Sequence, residues 1–305
     1  MTASTTGQDE PTDEFWETGL ILRVRTGSRA YGIALDSSDE DSRGVCIPPV
    51  RFLLGLDEFE QHESEGKDHV TYSLAKFARL ALQGNPNIIE TLYTPSEHLL
   101  HVDERGERLR AVRDQFLSRR AGERFGGYAQ SQLGRLERHR KWLTDPPLGA
   151  PDPMEYGAEV VDGQLKFLDA RRRKNFDVEQ KRWNHYRTWR DERNEARAEL
   201  EAEHGYDTKH AVHLIRLLRM GEEILTRGEV LVARPDADEL IALRHGEWPF
   251  ETVLEEATRR SALLPKLVAA SSLPEQPNRD RIHRLVIELH LASVGGSTPW
   301  SNDGA

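Results

Sequence analysis

The sequence predicts an α+β fold: a small sheet with helices in the first third of the chain, followed by a mainly α-helical domain. Short segments of strand-forming residues at 20–24, 44–47 and 68–72 are bounded by glycine, proline or polar residues, as is typical of strands. After Pro95, helical periodicity dominates to the end of the chain. The predicted organisation is a disordered tail over residues 1–14, an α+β domain over 15–100, a helical domain over 101–293 and a loose tail over 294–305.

The composition describes a globular protein with a highly charged surface. Of the 305 residues, 37% are apolar and 31% are charged, and the formal net charge is −10. No apolar run approaches the length of a membrane helix, and the first residues, MTASTTGQDEPTDE, lack the basic and apolar regions of a secretory signal. Cys46 is the single cysteine, which excludes an intrachain disulfide and argues against a cysteine-based zinc site. We therefore expect a cytoplasmic protein.

Positive charge is concentrated in the middle of the chain. Between Arg105 and Arg197 there are 22 lysines and arginines against 15 aspartates and glutamates. This region could supply a basic face for a nucleic acid in a chain that is acidic overall. Alternatively, it is a set of solvated helices, which are rich in arginine and glutamate in any case. The sequence leaves both interpretations open.

The most informative stretch is TGSRAYGIALDSSDEDSRGV, residues 26–45. Gly27 and Ser28 follow an apolar strand, where a turn offers backbone N–H groups and a hydroxyl to a phosphate. Asp39 and Asp41 are two positions apart, and on a strand such residues point to the same side of the sheet. A phosphate cradle facing two carboxylates is what metal-dependent nucleotidyl transfer requires. Taken separately, each half is more often an ordinary turn or a solvated loop.

The combined pattern resembles a known family signature: Gly27-Ser28…Gly32…Ser38-Asp39-x-Asp41-x-Arg43-Gly44-Val45. It is similar to the DNA polymerase β-like nucleotidyltransferase superfamily, and more narrowly to its bacterial and phage branch associated with RNA repair. The resemblance implies that residues 15–100 are a nucleotidyltransferase catalytic domain with a small mixed sheet. In that site Gly27 and Ser28 would bind the phosphates of a nucleoside triphosphate (NTP), and Arg43 would contact phosphate or orient the carboxylates. Asp39 and Asp41 would be catalytic and would bind two Mg²⁺ or Mn²⁺ ions.

The superfamily takes a third carboxylate from a neighbouring strand, and this makes Asp68 the candidate for the third catalytic and metal-binding residue. Asp68 opens the predicted strand of residues 68–72. Glu63 and Glu65 are the alternatives. They lie in the polar, acidic segment 55–67, which we expect to be an exposed connection.

The next elements extend the resemblance to residues 20–95. Ser73 is placed to cap a helix over 74–83, Gly84 to end it, and Asn85-Pro86-Asn87 predicts a turn before an apolar segment over 88–92. The string KFARLALQGNPNIIETLY resembles the corresponding segment of the family.

The middle of the chain predicts helices over 104–118, 122–143 and 175–204, with a linker of loop composition between the second and the third. Trp183, Tyr186 and Trp189 are spaced three apart on the last of these helices. Such aromatic residues could stack on bases, but packing against a neighbouring helix is the favoured interpretation.

A second informative stretch, YDTKHAVHLIRLLRMGEEILTRGEV over residues 206–230, also resembles the family. Asp207 or Thr208 can cap a helix on which Lys209, His213 and Arg216 share one face. A cationic face near a helix N-terminus suits a triphosphate, so these three residues are predicted to bind the nucleotide; the alternative is a solvated basic face. A short strand over 230–232, a helix capped by Asp236, and helices over 249–270 and 278–293 complete the prediction.

The predicted function is transfer of a nucleoside monophosphate from an NTP to a hydroxyl group, with release of pyrophosphate. The favoured acceptor is an RNA (tRNA) 3′ end in RNA repair or processing, and the basic middle region would hold the RNA. A protein or a small molecule is the alternative acceptor. A catalytically silent nucleotide- or RNA-binding module is a further alternative, against which the presence of both Asp39 and Asp41 argues. We expect no membrane partner.

Overall fold

The structure, a computed structural model, describes residues 14–36, 38–66, 68–193 and 195–295. The two predicted terminal tails lie almost entirely outside these ranges. Within them, no helix is long and apolar enough to cross a membrane.

A five-stranded mixed sheet forms the core of the first part of the chain and confirms the predicted α+β fold. Its strands, in the order β3-β4-β2-β1-β5, are β1 (Leu20–Thr26), β2 (Asp41–Cys46), β3 (Gln61–Glu63), β4 (His69–Ser73) and β5 (Leu99–Val102). β2 and β4 are parallel, whereas β1 is antiparallel to both of its neighbours. Thr26 pairs with Asp41, and Ser42 pairs with His69. This register places the end of β1 and the beginnings of β2 and β4 side by side at one end of the sheet.

The helices around and after the sheet are α1 (Phe15–Thr18), α2 (Gly27–Tyr31), α3 (Val50–Leu53), α4 (Leu74–Leu82), α5 (Pro86–Tyr93), α6 (Glu104–Ala111), α7 (Arg119–Thr144), α8 (Ala170–Glu192), α9 (Glu195–His204), α10 (Thr208–Arg227), α11 (Ala237–Arg244), α12 (Phe250–Ala270) and α13 (Arg279–Ser293). Several begin where the sequence placed a cap. The Ser73 hydroxyl accepts a hydrogen bond from the backbone of Lys76, and the Asp207 carboxylate accepts one from the backbone of His210. Gly84, with a φ of +73°, ends α4 as predicted.

The apolar side chains that the sequence marked as strand and helix interiors form the core beside the sheet. Ile21, Leu22 and Val24 of β1 are completely buried, as are Leu74 and Phe77 of α4. The alternation of buried and half-buried residues along β1 follows the period of two expected for a strand.

Five predictions about strands and turns were wrong. The segment 55–67 contains β3, a polar strand of three residues at the edge of the sheet, and β5 follows Pro95 although no strand was expected there. The predicted linker contains a hairpin of β6 (Ala158–Val161) and β7 (Gln164–Phe167). Residues 230–232 form no strand, and Asn85 caps α5 instead of belonging to an isolated turn.

The chain forms two compact units that interleave along the sequence. One unit comprises Met1–Tyr128, Arg216–Ile241 and Arg259–Ala305, and the other comprises Ala129–Ile215 and Ala242–Thr258. Helices α7, α10, α11 and α12 each pass from one unit into the other, so the units do not correspond to a single division of the sequence.

Aromatic residues of α7 and α8 pack together within the second unit. The Trp142 ring lies 5.8 Å from that of Tyr186 and 5.2 Å from that of Trp189, measured between centroids, and Tyr186 is buried. This confirms the packing interpretation for Tyr186 and Trp189, whereas the Trp183 ring lies 5.6 Å from that of Tyr186 on the same helix. The predicted helix 175–204 is observed as α8 and α9.

Candidate active site

The carboxylate of Asp41 lies directly against Gly27, at the end of the sheet where β1 stops and β2 begins. Gly27 has a φ of +69°, a conformation that L side chains rarely adopt, and a Cβ at this position would overlap Oδ2 of Asp41. Two physical requirements therefore meet at one residue: the backbone must turn from β1 into α2, and the Asp41 carboxylate must approach it closely. Ser28 is the next residue of α2. The predicted phosphate cradle and one predicted metal-binding carboxylate are thus adjacent.

Asp39 lies in the irregular segment immediately before β2, where its side chain is exposed. The backbone beside it is fixed by Ser38, whose hydroxyl accepts a hydrogen bond of 2.9 Å from the Leu35 N–H. The Arg29 guanidinium donates to the Ser38 carbonyl at 2.9 Å and pairs with Glu40 at 3.0 Å. The residues on either side of Asp39 are therefore fixed by hydrogen bonds and an ion pair. Asp39 itself precedes β2, the strand on which Asp41 lies.

Arg43 is the second residue after Asp41 on β2, and the alternation of side chains places both on the same face of the sheet. Its Nη1 donates a hydrogen bond of 3.2 Å to the Thr26 hydroxyl. Its Nε is buried and, among the residues that the structure describes, has no hydrogen-bond partner. A guanidinium donor two residues from Asp41 on the same face of the sheet is of the kind that binds oxyanions.

Asp68 immediately precedes β4, the strand that runs parallel to β2, and it lies opposite Asp41 just beyond the ladder. The Ser42 N–H donates to the Asp68 carbonyl at 2.8 Å, one residue before the first pair of the β2–β4 ladder. The Asp68 side chain is exposed, as is that of Glu65, and Glu63 ends β3. Within the described residues, no group of three or more histidine, cysteine or acidic residues is close enough to hold a metal ion. The structure thus places Asp41 and Asp68 at the same end of the sheet. Among the described residues, it does not bring three carboxylates close enough together to hold a metal ion.

The chemistry of Asp39 and Asp41 nevertheless fits divalent cations. Carboxylate oxygens are the ligands that Mg²⁺ prefers, and Mg²⁺ is usually bound by one or two carboxylates together with substrate phosphates. The close packing of Asp41 against Gly27 fixes one of these donors beside the predicted phosphate cradle.

A buried group of three polar side chains anchors the far end of α2. The Tyr31 hydroxyl donates to Oε2 of Glu90 at 2.6 Å, and Nη1 of Arg216 donates to Oε1 of the same carboxylate at 2.6 Å. The Arg216 guanidinium lies 3.8 Å from the centroid of the Tyr31 ring. Glu90 is 4% exposed and Arg216 is 1% exposed. We call Tyr31, Glu90 and Arg216 the buried triad.

Burial raises the pKa of the Tyr31 hydroxyl well above its ordinary value; the negative charge of Glu90 acts in the same direction and Arg216 in the opposite one. The hydroxyl therefore stays protonated and can donate to Glu90. Because Tyr31 belongs to the same short helix as Gly27 and Ser28, the buried triad fixes the helix that carries the predicted phosphate cradle.

The predicted nucleotide-binding face of α10 is not a single exposed surface. Lys209 is exposed and His213 is half-buried, whereas Arg216 is buried against Glu90. Arg216 does not share the exposed face of Lys209, because the apolar residues that flank it on α10 are themselves buried, namely Leu214, Ile215, Leu217 and Leu218. A charged residue inside such an apolar run, and Glu90 inside NIIETLY, were the signals of a buried ion pair that sequence reasoning missed.

The Tyr-Asp-x-Lys-His motif forms the beginning of α10. Asp207 is 2% exposed, and its carboxylate contacts His210 and Arg197, each at 2.9 Å. Burial raises the pKa of this carboxyl, but the hydrogen bonds and charge of His210, together with the charge of Arg197, outweigh it and lower the pKa to about 2. The Tyr206 hydroxyl donates to the Trp248 carbonyl at 2.6 Å. The motif therefore stabilises the helix start, and only Lys209 among its charged residues is exposed.

A mixed sheet with a Gly-Ser turn and acidic residues at one edge has the features expected of a DNA polymerase β-like domain. Comparison with known families agrees: the model of RlaP, the RNA repair pathway DNA polymerase beta family, matches residues 9–145. The matched segment includes all five strands of the sheet, and it is similar to that family over less than half of the chain. The stretch that begins at Tyr206 lies outside the match.

A protein of Enterobacteria phage T4, described as an uncharacterized 38.9 kDa protein in the nrdC-mobD intergenic region, is 30% identical to the chain over 95 residues. The similarity covers 27% of this chain and 28% of the phage protein. No solved structure matches the chain.

Proposed function

We propose that the protein is a metal-dependent nucleotidyltransferase that transfers a nucleoside monophosphate from an NTP to the 3′ hydroxyl of an RNA. The observation that carries the proposal is the contact of the Asp41 carboxylate with Gly27. The exposed Asp39 lies two residues before Asp41 and supplies the second carboxylate. The similarity of residues 9–145 to an RNA repair family supports both the reaction class and the choice of RNA.

In this proposal, the residues around the end of β1 bind and orient the triphosphate. Backbone N–H groups near Gly27 and the Ser28 hydroxyl donate to phosphate oxygens, and the buried Nε of Arg43 provides a further donor. Lys209 and His213 are proposed as additional triphosphate contacts. Arg216 is left out because its guanidinium is buried against Glu90.

Asp39 and Asp41 would hold the divalent cations, with Asp68 proposed as the third ligand because it adjoins Asp41 in the β2–β4 register. Such ions, when bound, neutralise charge on the triphosphate and lower the pKa of the acceptor hydroxyl. The protein itself contributes by keeping the carboxylates, the phosphates and the acceptor in line for displacement of pyrophosphate.

The test is to incubate the purified protein with Mg²⁺, each α-labelled NTP in turn and a total cell extract, and then to separate RNA from protein. The proposal predicts label on RNA with the wild type and at least a hundredfold less with Asp39→Asn/Asp41→Asn. Asp36→Asn is the matched control, since it removes an exposed carboxylate from the same loop. Label on a protein or a small molecule would overturn the choice of RNA, and the absence of label on every acceptor would overturn the reaction class.

A further inference from the structure

Helix α8 is a positively charged element in an acidic chain. Its 23 residues include eight lysines and arginines and four aspartates and glutamates, whereas the whole chain has a net charge of −10. The inner side of the helix is occupied by packing: Phe176 contacts the hairpin residue Phe167, and Tyr186 contacts Trp142 of α7. Any binding role of α8 therefore belongs to its outer side.

The outer side carries an exposed stripe at helical spacing. Arg171, Lys174, Val178, Lys181 and His185 follow one another at intervals of three and four residues, which places them on one face, and all five are exposed. We call these residues the α8 stripe. It contains no carboxylate and extends for about 21 Å, at a rise of about 1.5 Å per residue.

The ion pairs of α8 leave most of its uncompensated charge on this stripe, with Arg187 as the remaining exposed cation outside it. Four arginines elsewhere on the helix are paired with nearby acids, namely Arg172 with Asp169, Arg173 with Asp177, Arg182 with Glu179 and Arg190 with Asp191. Arg171, Lys174 and Lys181 have no ion-pair partner in the described part of the chain. Local neutralisation thus leaves three cations in a row on the outer face.

We propose that the α8 stripe binds the sugar–phosphate backbone of the RNA acceptor; the choice of RNA as the partner rests on the proposed function. A row of flexible cations about 21 Å long complements a linear polyanion, and it needs no shaped groove. Because the aromatic residues of α8 pack between helices, the stripe offers phosphate contacts rather than a base-stacking platform. Binding through it is therefore strongly dependent on salt and indifferent to base sequence.

The test is fluorescence anisotropy with a labelled 20-nucleotide single-stranded RNA, in EDTA and without NTP, over a range of KCl concentrations. Arg171→Gln/Lys174→Gln/Lys181→Gln is expected to weaken binding at least tenfold at 0.1 M salt and to reduce the slope of log affinity against log salt by about 2, from about 0.7 per lost phosphate contact. The control is Arg173→Gln/Arg182→Gln/Arg190→Gln, which removes the same charge from ion-paired positions and is expected to change affinity less than twofold. Equal losses in both variants, or no loss in the first, would overturn the proposal.

Failure of this inference can be distinguished from failure of the proposed function. The inference expects Asp39→Asn/Asp41→Asn to bind RNA as tightly as the wild type, because the measurement involves neither NTP nor metal. If RNA binding depends on the stripe but the protein transfers no nucleotide, the proposed function is refuted and the inference is supported. If the stripe variant transfers nucleotide to RNA as well as the wild type does, the proposed function is supported and the inference is refuted. Stripe-dependent binding of a polyglutamate peptide, without binding of RNA, would identify an acidic protein partner and contradict the inference.

Discussion

Breaking the buried triad is expected to destabilise the protein strongly. In Arg216→Met the Glu90 carboxylate would remain buried beside Tyr31 without its cation. Removing one partner of a buried pair costs about 3–5 kcal/mol, whereas replacing both partners is often far less costly. Coulomb's law gives a similar scale of about 4 kcal/mol for unit charges about 4 Å apart at an effective dielectric constant of about 20. The direct contact of 2.6 Å and the near-complete burial of both groups place this pair in that regime.

The assay is a double-mutant cycle by urea unfolding with Arg216→Met, Glu90→Gln and the double variant. We expect each single variant to lose about 3 kcal/mol or more of unfolding free energy, and the double variant to lose clearly less than the sum. Arg108→Gln is the control, because its pair with Glu288 is partly exposed to water and should contribute about 1 kcal/mol or less. Additive losses, or a loss for Arg216→Met no larger than that of the control, would refute the idea that the triad acts as a coupled unit.

Three further predictions follow from single residues. Gly27→Ala should reduce nucleotidyl transfer at least tenfold and lower the melting temperature, since its Cβ would displace the Asp41 carboxylate; wild-type transfer and stability would contradict this. Asp207 has a lowered pKa, so it should contribute about 2 kcal/mol to stability above pH 4, and this contribution is lost as the pH falls towards 2. Urea unfolding should therefore show Asp207→Asn to be less stable than the wild type at pH 7, with the two converging near pH 2; a constant difference would refute it. Asp68→Asn should reduce nucleotidyl transfer, whereas Glu63→Gln should leave it unchanged. A loss of transfer in Glu63→Gln but not in Asp68→Asn would identify Glu63 on β3 as the third metal ligand.

The sequence predicted the buried strands and most helices well because burial forces a period on their side chains. β1, β2 and α4 each bury a continuous face, so their apolar residues recur at the spacing of the element. β3 and β5 lie at the two edges of the sheet, and β5 exposes Leu100, so neither shows such a pattern. The β6–β7 hairpin did have a recognisable signal in Asp162-Gly163, both of which have positive φ as the turn of a two-residue hairpin requires.

The candidate site was predictable where chemistry is local and not where it depends on tertiary packing. The adjacency of Gly27 and Asp41 follows from a glycine at the end of one strand and an aspartate at the beginning of the next. The burial of Arg216 against Glu90 joins residues 126 positions apart in the sequence, and no local spacing encodes it. That pair and Tyr31 join three stretches that lie far apart in the sequence, and they support the site rather than carry out its chemistry.

The central claim is that Asp39 and Asp41 serve nucleotidyl transfer, and release of pyrophosphate tests it most directly. The wild type and Asp36→Asn should release pyrophosphate from an NTP only when Mg²⁺ or Mn²⁺ and RNA are both present, and Asp39→Asn/Asp41→Asn should release at least a hundredfold less. Equal release by the wild type and the double variant, or none by either with every NTP and metal, would contradict the account.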